Sequence, residues 1–218
     1  MTRVMTDEIC PLCKGSTIDT YCRDKFRDYL ICQSCRLVFV PKRFHLSDIE
    51  EKERYDLHRN DPNEEGYRKF LSRIVAPLEL RIDKGSQGLD FGCGPGPALS
   101  MMLRDAGYQL DTYDKFYGIR PEVFEKTYDF VTATEVVEHL RDPEFELNRL
   151  FALVRSGGLL GIMTKLVIDK SAFENWHYKR DMTHICFFSR PTFEWLGNLW
   201  KAKVEFIGSD VILIYKTL

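Results

Sequence analysis

From residue 88 onward, short apolar strands alternate with amphipathic helices. Because each predicted strand is followed by a helix, the pattern favours an α/β fold with a doubly wound, mostly parallel sheet. The last two strands are joined only by residues 208–210, which predicts an antiparallel hairpin. The predicted strands are residues 88–91, 108–113, 128–133, 159–163, 203–207 and 211–215, and the predicted helices are 98–106, 142–154 and a last one that starts at Ser189 or Thr192 and runs to Trp200.

Between the first of these strands and its helix lies a glycine-rich turn, with Gly92, Gly94 and Gly96 at alternate positions. Glycine allows a sharp turn and lets a ligand approach the backbone without a Cβ in the way. The dinucleotide-binding fingerprint would place its third glycine at position 97, where the chain has Pro97. A nicotinamide-dependent oxidoreductase is therefore disfavoured.

This turn resembles the first motif of class I S-adenosylmethionine-dependent methyltransferases, and the resemblance continues over about residues 60–218. Asp114 ends the second strand, residues 128–140 are similar to the family's fourth strand and the segment after it, and residues 153–160 to the glycine turn before its fifth strand. The resemblance implies a seven-strand-type sheet. However, residues 115–127 are too few for a full helix–strand–helix unit.

The resemblance also implies a set of residues that contact the cofactor S-adenosylmethionine. Asp114 would bind the ribose hydroxyls, although a strand-end turn residue is the alternative. Phe116 and Tyr117 either stack on adenine or pack in the core. The methionine end of the cofactor would lie against Asp90, Gly92, Gly94 and Gly96, and Thr134 and Glu135 at the end of the fourth strand complete the expected cofactor site.

Two Cys-x-x-Cys pairs, Cys10/Cys13 and Cys32/Cys35, are separated by 18 residues. This spacing predicts a structural zinc site with four thiolate ligands, with free cysteines or a redox dithiol as the alternative. We expect a zinc knuckle over residues 1–45, a helical lid or linker over 46–84, and the methyltransferase domain over 85–218. Within the lid or linker, a capping box at Ser47 predicts a helix to about residue 60, and Asp61 before a proline predicts the start of a second helix that Pro77 should kink or end. The knuckle carries eight Lys and Arg against five acidic residues, which permits RNA contact without requiring it.

A second cluster of candidate ligands follows the fourth strand. Glu135, Glu138 and His139 stand at positions i, i+3 and i+4 and would share one face if they were helical. With His184 they resemble the ligand set of metal-dependent small-RNA terminal 2′-O-methyltransferases and of some quinone-pathway O-methyltransferases. This resemblance implies a second divalent metal, and the alternative is a polar pocket wall without metal.

The segment 176–188 is rich in polar and aromatic residues and supplies the candidate catalytic groups. His184 is the favoured proton acceptor, oriented by Asp181, and His177 is the second candidate. Trp176, Tyr178 and Phe187 form either an aromatic substrate wall or ordinary core. We expect O-methylation of a hydroxyl on a small molecule, with RNA as a further candidate acceptor. The alternative function is an RNA- or protein-binding module with a catalytically silent methyltransferase fold.

Composition narrows the classes of partner. The formal net charge of −2 argues against a large basic face for nucleic acid. The first ten residues lack the apolar run of a secretory signal, and the longest apolar stretch, residues 159–168, is too short and too polar to span a bilayer. These observations predict a soluble, cytoplasmic protein with no membrane partner.

Overall fold

The computed structural model describes residues 8–57 and 61–217 and contains a central six-stranded sheet in the order β5-β4-β6-β7-β10-β9. Strands β5, β4, β6 and β7 pair parallel with one another in that order, whereas β10 pairs antiparallel with both β7 and β9. The predicted doubly wound α/β fold with a terminal hairpin is therefore confirmed. The strands are β4 (Gln87–Phe91), β5 (Gln109–Tyr113), β6 (Tyr128–Thr134), β7 (Val154–Met163), β9 (Lys203–Ile207) and β10 (Val211–Tyr215).

Among residues 8–57 and 61–217, the central sheet has six strands and lacks the seventh that the family resemblance implied. Residues 115–127, all within the described chain, contain a 3₁₀ helix over Pro121–Glu125 and no strand. This segment is too short to leave the sheet, form a helix and return as a strand, so β5 becomes the edge of the sheet on this side.

Helices cover both faces of this sheet, and their ends follow from capping. Ser189 caps α6 and forms a capping box with Thr192, which decides between the two predicted starts. Asp142 caps α4, as its position before Pro143 predicts. The helices are α1 (Asp48–Tyr55), α2 (Glu65–Glu79), α3 (Ala98–Asp105), α4 (Pro143–Leu153), α5 (Lys170–Glu174) and α6 (Arg190–Trp200).

The first two helices begin or end at residues other than those predicted. The helix predicted to start at Asp61 begins three residues later, because the side chain of Glu64 accepts hydrogen bonds from the amides of Gly66 and Tyr67. Pro77 lies inside this helix rather than ending it. The helix predicted from Ser47 to about residue 60 ends at Tyr55, and positions 58–60 lie outside the described residues.

A second, smaller antiparallel sheet has the order β1-β2-β3-β8. Its first three strands come from the cysteine-rich segment: β1 (Ile18–Arg23), β2 (Asp28–Cys32) and β3 (Val38–Phe39). The fourth, β8 (Cys186–Phe187), comes from the polar and aromatic segment before α6. One hydrophobic core runs from this sheet to β4, β6 and β7, so the cysteine-rich segment packs as part of the same body. The boundary predicted at residue 45 stays a prediction.

No helix within residues 8–57 and 61–217 has the length and apolar character needed to cross a membrane.

Candidate active site

A cavity of about 600 Å³ opens where β4, β5 and β6 end. Ligands of doubly wound proteins bind at this edge of the sheet, and the volume lies within the usual range of small-molecule sites. Most of the cavity wall comes from α1 and the start of α2, the glycine turn, the segments after β5 and β6, and the segment 177–184. Helix α4 adds Glu146 and Arg149, and the segment after β7 adds Lys165.

The glycine turn forms one wall of the cavity through Gly92 and Gly94. Both have a positive φ, +76° and +64° respectively, which favours glycine. At Gly92 a Cβ would also lie 2.3 Å from a methyl group of Val136, so any side chain here would collide with the wall opposite. Gly96, the third glycine of the pattern, is not among the residues that line the cavity.

Asp90 lies behind this turn and is only 3% exposed. Its carboxylate accepts hydrogen bonds from the hydroxyls of Ser100 on α3 (2.7 Å) and Thr132 on β6 (3.1 Å). Burial raises the pKa of this carboxyl. Asp90 therefore ties the turn to the helix and strand beside it, and it is not among the residues that line the cavity.

Asp114 lines the cavity next to the glycine turn. One carboxylate oxygen accepts from the amide of Gly94 at 2.9 Å. The other accepts from the amides of Phe116 (2.8 Å) and Tyr117 (3.1 Å). Asp114 is thus a strand-end turn residue, as one interpretation predicted, and it holds an acidic oxygen at the wall where the other interpretation placed the ribose.

Helix α1 covers one side of the cavity. Its Glu51 is 4% exposed and forms ion pairs with Lys115 (2.7 Å) and Arg141 (2.9 Å). The ring of Tyr55 lies 5.8 Å from that of Phe116, and both line the cavity. These contacts hold the helix over the segment that follows β5.

Thr134 and Glu135 lie at the end of β6 and face the cavity. Glu135 has a φ of +53°, which is strained for a residue with a side chain and is typical of functional sites. Within residues 8–57 and 61–217, Oε1 of Glu135 and the hydroxyl of Thr134 are buried without a hydrogen-bond partner. Burial also raises the pKa of Glu135. Two polar groups are therefore available to a ligand at this point.

Glu138 is fully buried beside the cavity. It accepts hydrogen bonds from the hydroxyls of Thr164 (3.0 Å) and Tyr178. Burial, together with the nearby carboxylate of Glu135, raises the pKa of Glu138 to about 8. Of the residues predicted to form an aromatic wall or core, Tyr178 lines the cavity. Phe187 is 1% exposed and belongs to the core.

His139 and His184 lie side by side on the cavity wall, with ring centroids 4.7 Å apart. In each ring Nδ1 faces a backbone carbonyl, that of Thr183 for His139 (3.2 Å) and that of Tyr178 for His184 (2.7 Å). Because a carbonyl only accepts, Nδ1 carries the proton and Nε2 carries the lone pair in both neutral rings. Both Nε2 atoms are therefore suited to take a proton or bind a metal.

The second predicted ligand cluster forms in part. Ligand atoms of Glu138, His139 and His184 lie within 4.8 Å of one another, but Glu135 does not join this group. Glu135, Glu138 and His139 were expected to share one face if this stretch were helical, with His184 added from a later segment. Instead the chain turns sharply at Glu135 and continues as a short 3₁₀ helix over Val137–His139, which directs Glu135 differently from Glu138.

The remaining predicted catalytic residues lie on the same wall. His177 is exposed and accepts a hydrogen bond from the ammonium group of Lys165 at 2.9 Å. Asp181 lies with Oδ2 at 4.0 Å from Nε2 of His184. The Tyr178 carbonyl faces Nδ1 of this imidazole, and the orienting role of Asp181 stays a prediction. Although burial opposes it, hydrogen bonds from Thr183 lower the pKa of Asp181, which keeps it ionised beside His184.

The four cysteines of the two predicted pairs converge at one point. The sulfur atoms of Cys10 and Cys35 are 3.5 Å apart, those of Cys13 and Cys32 are 3.4 Å apart, and all four lie within 4.8 Å of one another. Zinc–sulfur bonds of about 2.3 Å in a tetrahedron place the sulfurs about 3.8 Å apart. The four thiols therefore fit a tetrahedral zinc ion.

Two features of the site were missed from the sequence. The carbonyl of Tyr178, which fixes the tautomer of His184, carries no sequence signal because every residue has a carbonyl. Arg27, which contacts the segment 179–182 from the small sheet, looked like one of eight cations in the first 45 residues. The sequence signal for the burial of Arg27 was its position directly before the apolar strand β2.

Comparison with solved structures finds proteins of low similarity, several of which are described as methyltransferases. A protein from Pyrococcus horikoshii OT3 is 16% identical, with a TM-score of 0.49, over 76% of this chain and 99% of that one. An O-methyltransferase family protein from Burkholderia thailandensis is 16% identical (TM-score 0.48), over 77% of this chain and 62% of that one. A SAM-dependent methyltransferase from Methanosarcina mazei is 13% identical (TM-score 0.45), over 65% and 97%.

No curated protein matches the chain. A family model described as a methyltransferase domain matches residues 63–199, which is more than half of the sequence and includes the glycine turn, Asp114, the two histidines and most of the cavity wall. The family's methyl donor is S-adenosylmethionine. On this match, the chain belongs to the family of S-adenosylmethionine-dependent methyltransferase domains.

Proposed function

We propose that the protein transfers a methyl group from S-adenosylmethionine to a hydroxyl group of a small molecule. The observation that carries this proposal is that one cavity is lined both by the glycine turn with Asp114 and by the Nε2 side of His184. The first set fits the donor and the second can accept the proton of a hydroxyl. The comparisons offer no support for the alternative, a binding module with a silent fold.

On the donor side, the bound cofactor supplies an electrophilic methyl group on a sulfonium. The chain's own contribution is to position it. The backbone of Gly92 and Gly94 leaves room for the amino-acid end of the donor, and Asp114 is placed to accept from its ribose hydroxyls. The buried, unpartnered oxygen of Glu135 can accept a hydrogen bond from the donor's ammonium group.

On the acceptor side, His184 is the proton acceptor. Its Nδ1–H donates to the Tyr178 carbonyl, so Nε2 can take the hydroxyl proton as the acceptor oxygen bonds the methyl carbon. The bond between that carbon and the donor's sulfur would break in the same displacement, with S-adenosylhomocysteine as the leaving group. The imidazolium that results lies 4.0 Å from the Asp181 carboxylate, which stabilises the positive charge. His177 is exposed at the rim and already accepts from Lys165, so it is less suited to this role.

The four-cysteine cluster is proposed to bind one structural zinc ion. A closed tetrahedral set of thiolates has no open position for a substrate and stabilises the fold around it. Cys10, Cys32 and Cys35 are buried and Cys13 is half-buried, as expected for a structural rather than a reactive site.

A divalent metal held by Glu138, His139 and His184 is the second candidate feature. It is favoured by the approach of their ligand atoms and by the carbonyl on Nδ1 of both histidines, since metal-bound imidazoles commonly donate their other N–H. Such an ion would lower the pKa of an acceptor hydroxyl. Elemental analysis of wild-type and His139→Ala proteins distinguishes a metal site from a polar wall without metal. A second metal equivalent that is lost in the variant supports the metal.

The proposal is tested by calorimetric titration with S-adenosylhomocysteine, the demethylated product, and then with labelled donor and a panel of phenols, hydroxy acids and short RNAs. We expect binding of the product and turnover of a small hydroxylated acceptor. His184→Gln should lose turnover and retain donor binding. The matched control is His45→Gln, since His45 contacts the Val40 carbonyl and does not line the cavity. Absence of binding to donor and product would refute the proposal.

A further inference from the structure

Arg27 lies at the boundary between the small sheet and the cavity wall and is only 1% exposed. Its guanidinium donates to three backbone carbonyls of one segment: Lys179 at 2.7 Å, Asp181 at 2.9 Å and Met182 at 3.1 Å. Its Nε donates to the hydroxyl of Tyr29 at 3.0 Å. A single buried side chain from the cysteine-rich segment therefore holds the backbone of residues 179–182.

The neighbours of Arg27 strengthen the same connection. The Tyr29 hydroxyl donates to Asp24 at 2.9 Å, and the ammonium group of Lys179 reaches the same carboxylate oxygen at 2.9 Å. Strand β3 pairs with β8, and the amide of Val40 donates to the carbonyl of Ile185 at 2.9 Å. The small sheet thus holds the segment from residue 179 to residue 187 at both ends.

The segment 177–187 carries the acceptor side of the cavity. His177, Tyr178, Asp181 and His184 all line it, and the carbonyl that fixes the tautomer of His184 belongs to the residue just before Lys179. The guanidinium of Arg27 hydrogen-bonds only carbonyls and a hydroxyl within the described chain. Burying a cation costs free energy, and a lysine cannot present several donors in one plane, so the position requires the planar fork of arginine.

We propose that Arg27 is a positioning residue through which the metal-binding cysteine module sets the acceptor side of the active site. The proposal rests on the proposed function. Loss of Arg27, or of the metal that organises its module, then releases the segment 177–187 and weakens acceptor binding. The donor side stays intact, because the glycine turn is held by hydrogen bonds to Tyr113 and Asp114, neither of which belongs to the small sheet.

Hydrogen exchange followed by mass spectrometry tests this on the full-length protein. The variant is Arg27→Met, which keeps a long apolar side chain. The control is Arg23→Met, since Arg23 lies in the same module, its side chain is 75% exposed, and Asp28 is its ion-pair partner. We expect amides of residues 178–187 to exchange at least about tenfold faster in Arg27→Met, since several hydrogen bonds to a charged group are lost. Amides of α3 should keep their wild-type rates in both variants.

Two further measurements separate positioning from general stabilisation. Arg27→Lys should exchange faster over the same segment, although it keeps the charge, and chelation of metal from the wild-type protein should do the same without any substitution. In Arg27→Met, S-adenosylhomocysteine should bind within about twofold of wild type. Unchanged exchange over 178–187, or a uniform rise that includes α3, would overturn the proposal. A failed donor titration of the wild-type protein would instead refute the proposed function, because the exchange measurement needs no cofactor.

Discussion

Substitution of Asp24 by Asn measures how strongly the cysteine-rich segment is connected to the segment 177–187. The carboxylate of Asp24 accepts four hydrogen bonds: from the amides of Phe26 (2.9 Å) and Arg27 (3.1 Å), and from the side chains of Tyr29 (2.9 Å) and Lys179 (2.9 Å). Partial burial works to raise the pKa of Asp24, but the Lys179 hydrogen bond and the two amides outweigh it and lower the pKa from 3.8 to about 2.

The shift converts to about 2 kcal/mol of folding free energy at pH 7, at 1.36 kcal/mol per pKa unit. The folded-state pKa is the lower one, so this contribution is present above pH 4 and is lost as the pH falls through 4 towards 2. We expect Asp24→Asn to lower the free energy of unfolding by about 2 kcal/mol at pH 7 and by about half as much at pH 3.

Urea denaturation of the wild type and the variant at each pH gives these differences, and protonation of the cysteine ligands affects both proteins alike. Asp19→Asn is the control, since Asp19 accepts only from Gln33 at the surface. If Asp24→Asn unfolds within about 0.5 kcal/mol of wild type at pH 7, or if the difference does not shrink at pH 3, the carboxylate does not connect the two parts as described.

Three further predictions concern the glycine turn, the core and the metal. Gly92→Ala should lower the free energy of unfolding by about 2–4 kcal/mol in urea denaturation, because it combines a collision with Val136 and an unfavourable φ. Gly94→Ala has the unfavourable φ alone and should lower it by about 1 kcal/mol, and equal losses in the two variants would contradict this. Gly88→Ala places a Cβ 2.2 Å from the ring of Phe130 and should cost about 1–3 kcal/mol, reduced when Phe130→Leu is combined with it; an additive double variant would refute the contact. Cys13→Ser should lower the zinc content from about one ion per chain and lower the melting temperature, and full zinc retention in this variant would show that Cys13 is not a ligand.

Much of the fold follows from local sequence. The strands Lys203–Ile207 and Val211–Tyr215 match the prediction residue for residue, because their apolar runs are bounded by a turn that cannot extend either strand. Helix α6 begins where Ser189 supplies a cap. In such places a few neighbouring residues determine the structure.

Other features depend on partners far along the chain. Strand β8 is two residues long and forms because β3 lies beside it, and no periodic pattern marks so short a segment. A common face for Glu135, Glu138 and His139 required a helix, but the backbone of Glu135 is left-handed. The motif therefore predicted that Gly92, Gly94 and Asp114 come together at the end of the sheet, whereas the arrangement of the segment 177–187 depends on contacts that a single sequence does not reveal.

The pairing of β3 with β8 also governs when the chain can complete its fold during synthesis. Arg27 and Lys179 are 152 positions apart, so the cysteine-rich segment leaves the ribosome long before its last strand and its carbonyl partners exist. Contacts of such long sequence separation form slowly. The unpaired edge of β3 is exposed in the nascent chain during that interval, and early capture of zinc by the thiols would hold the first three strands together until translation reaches residue 187.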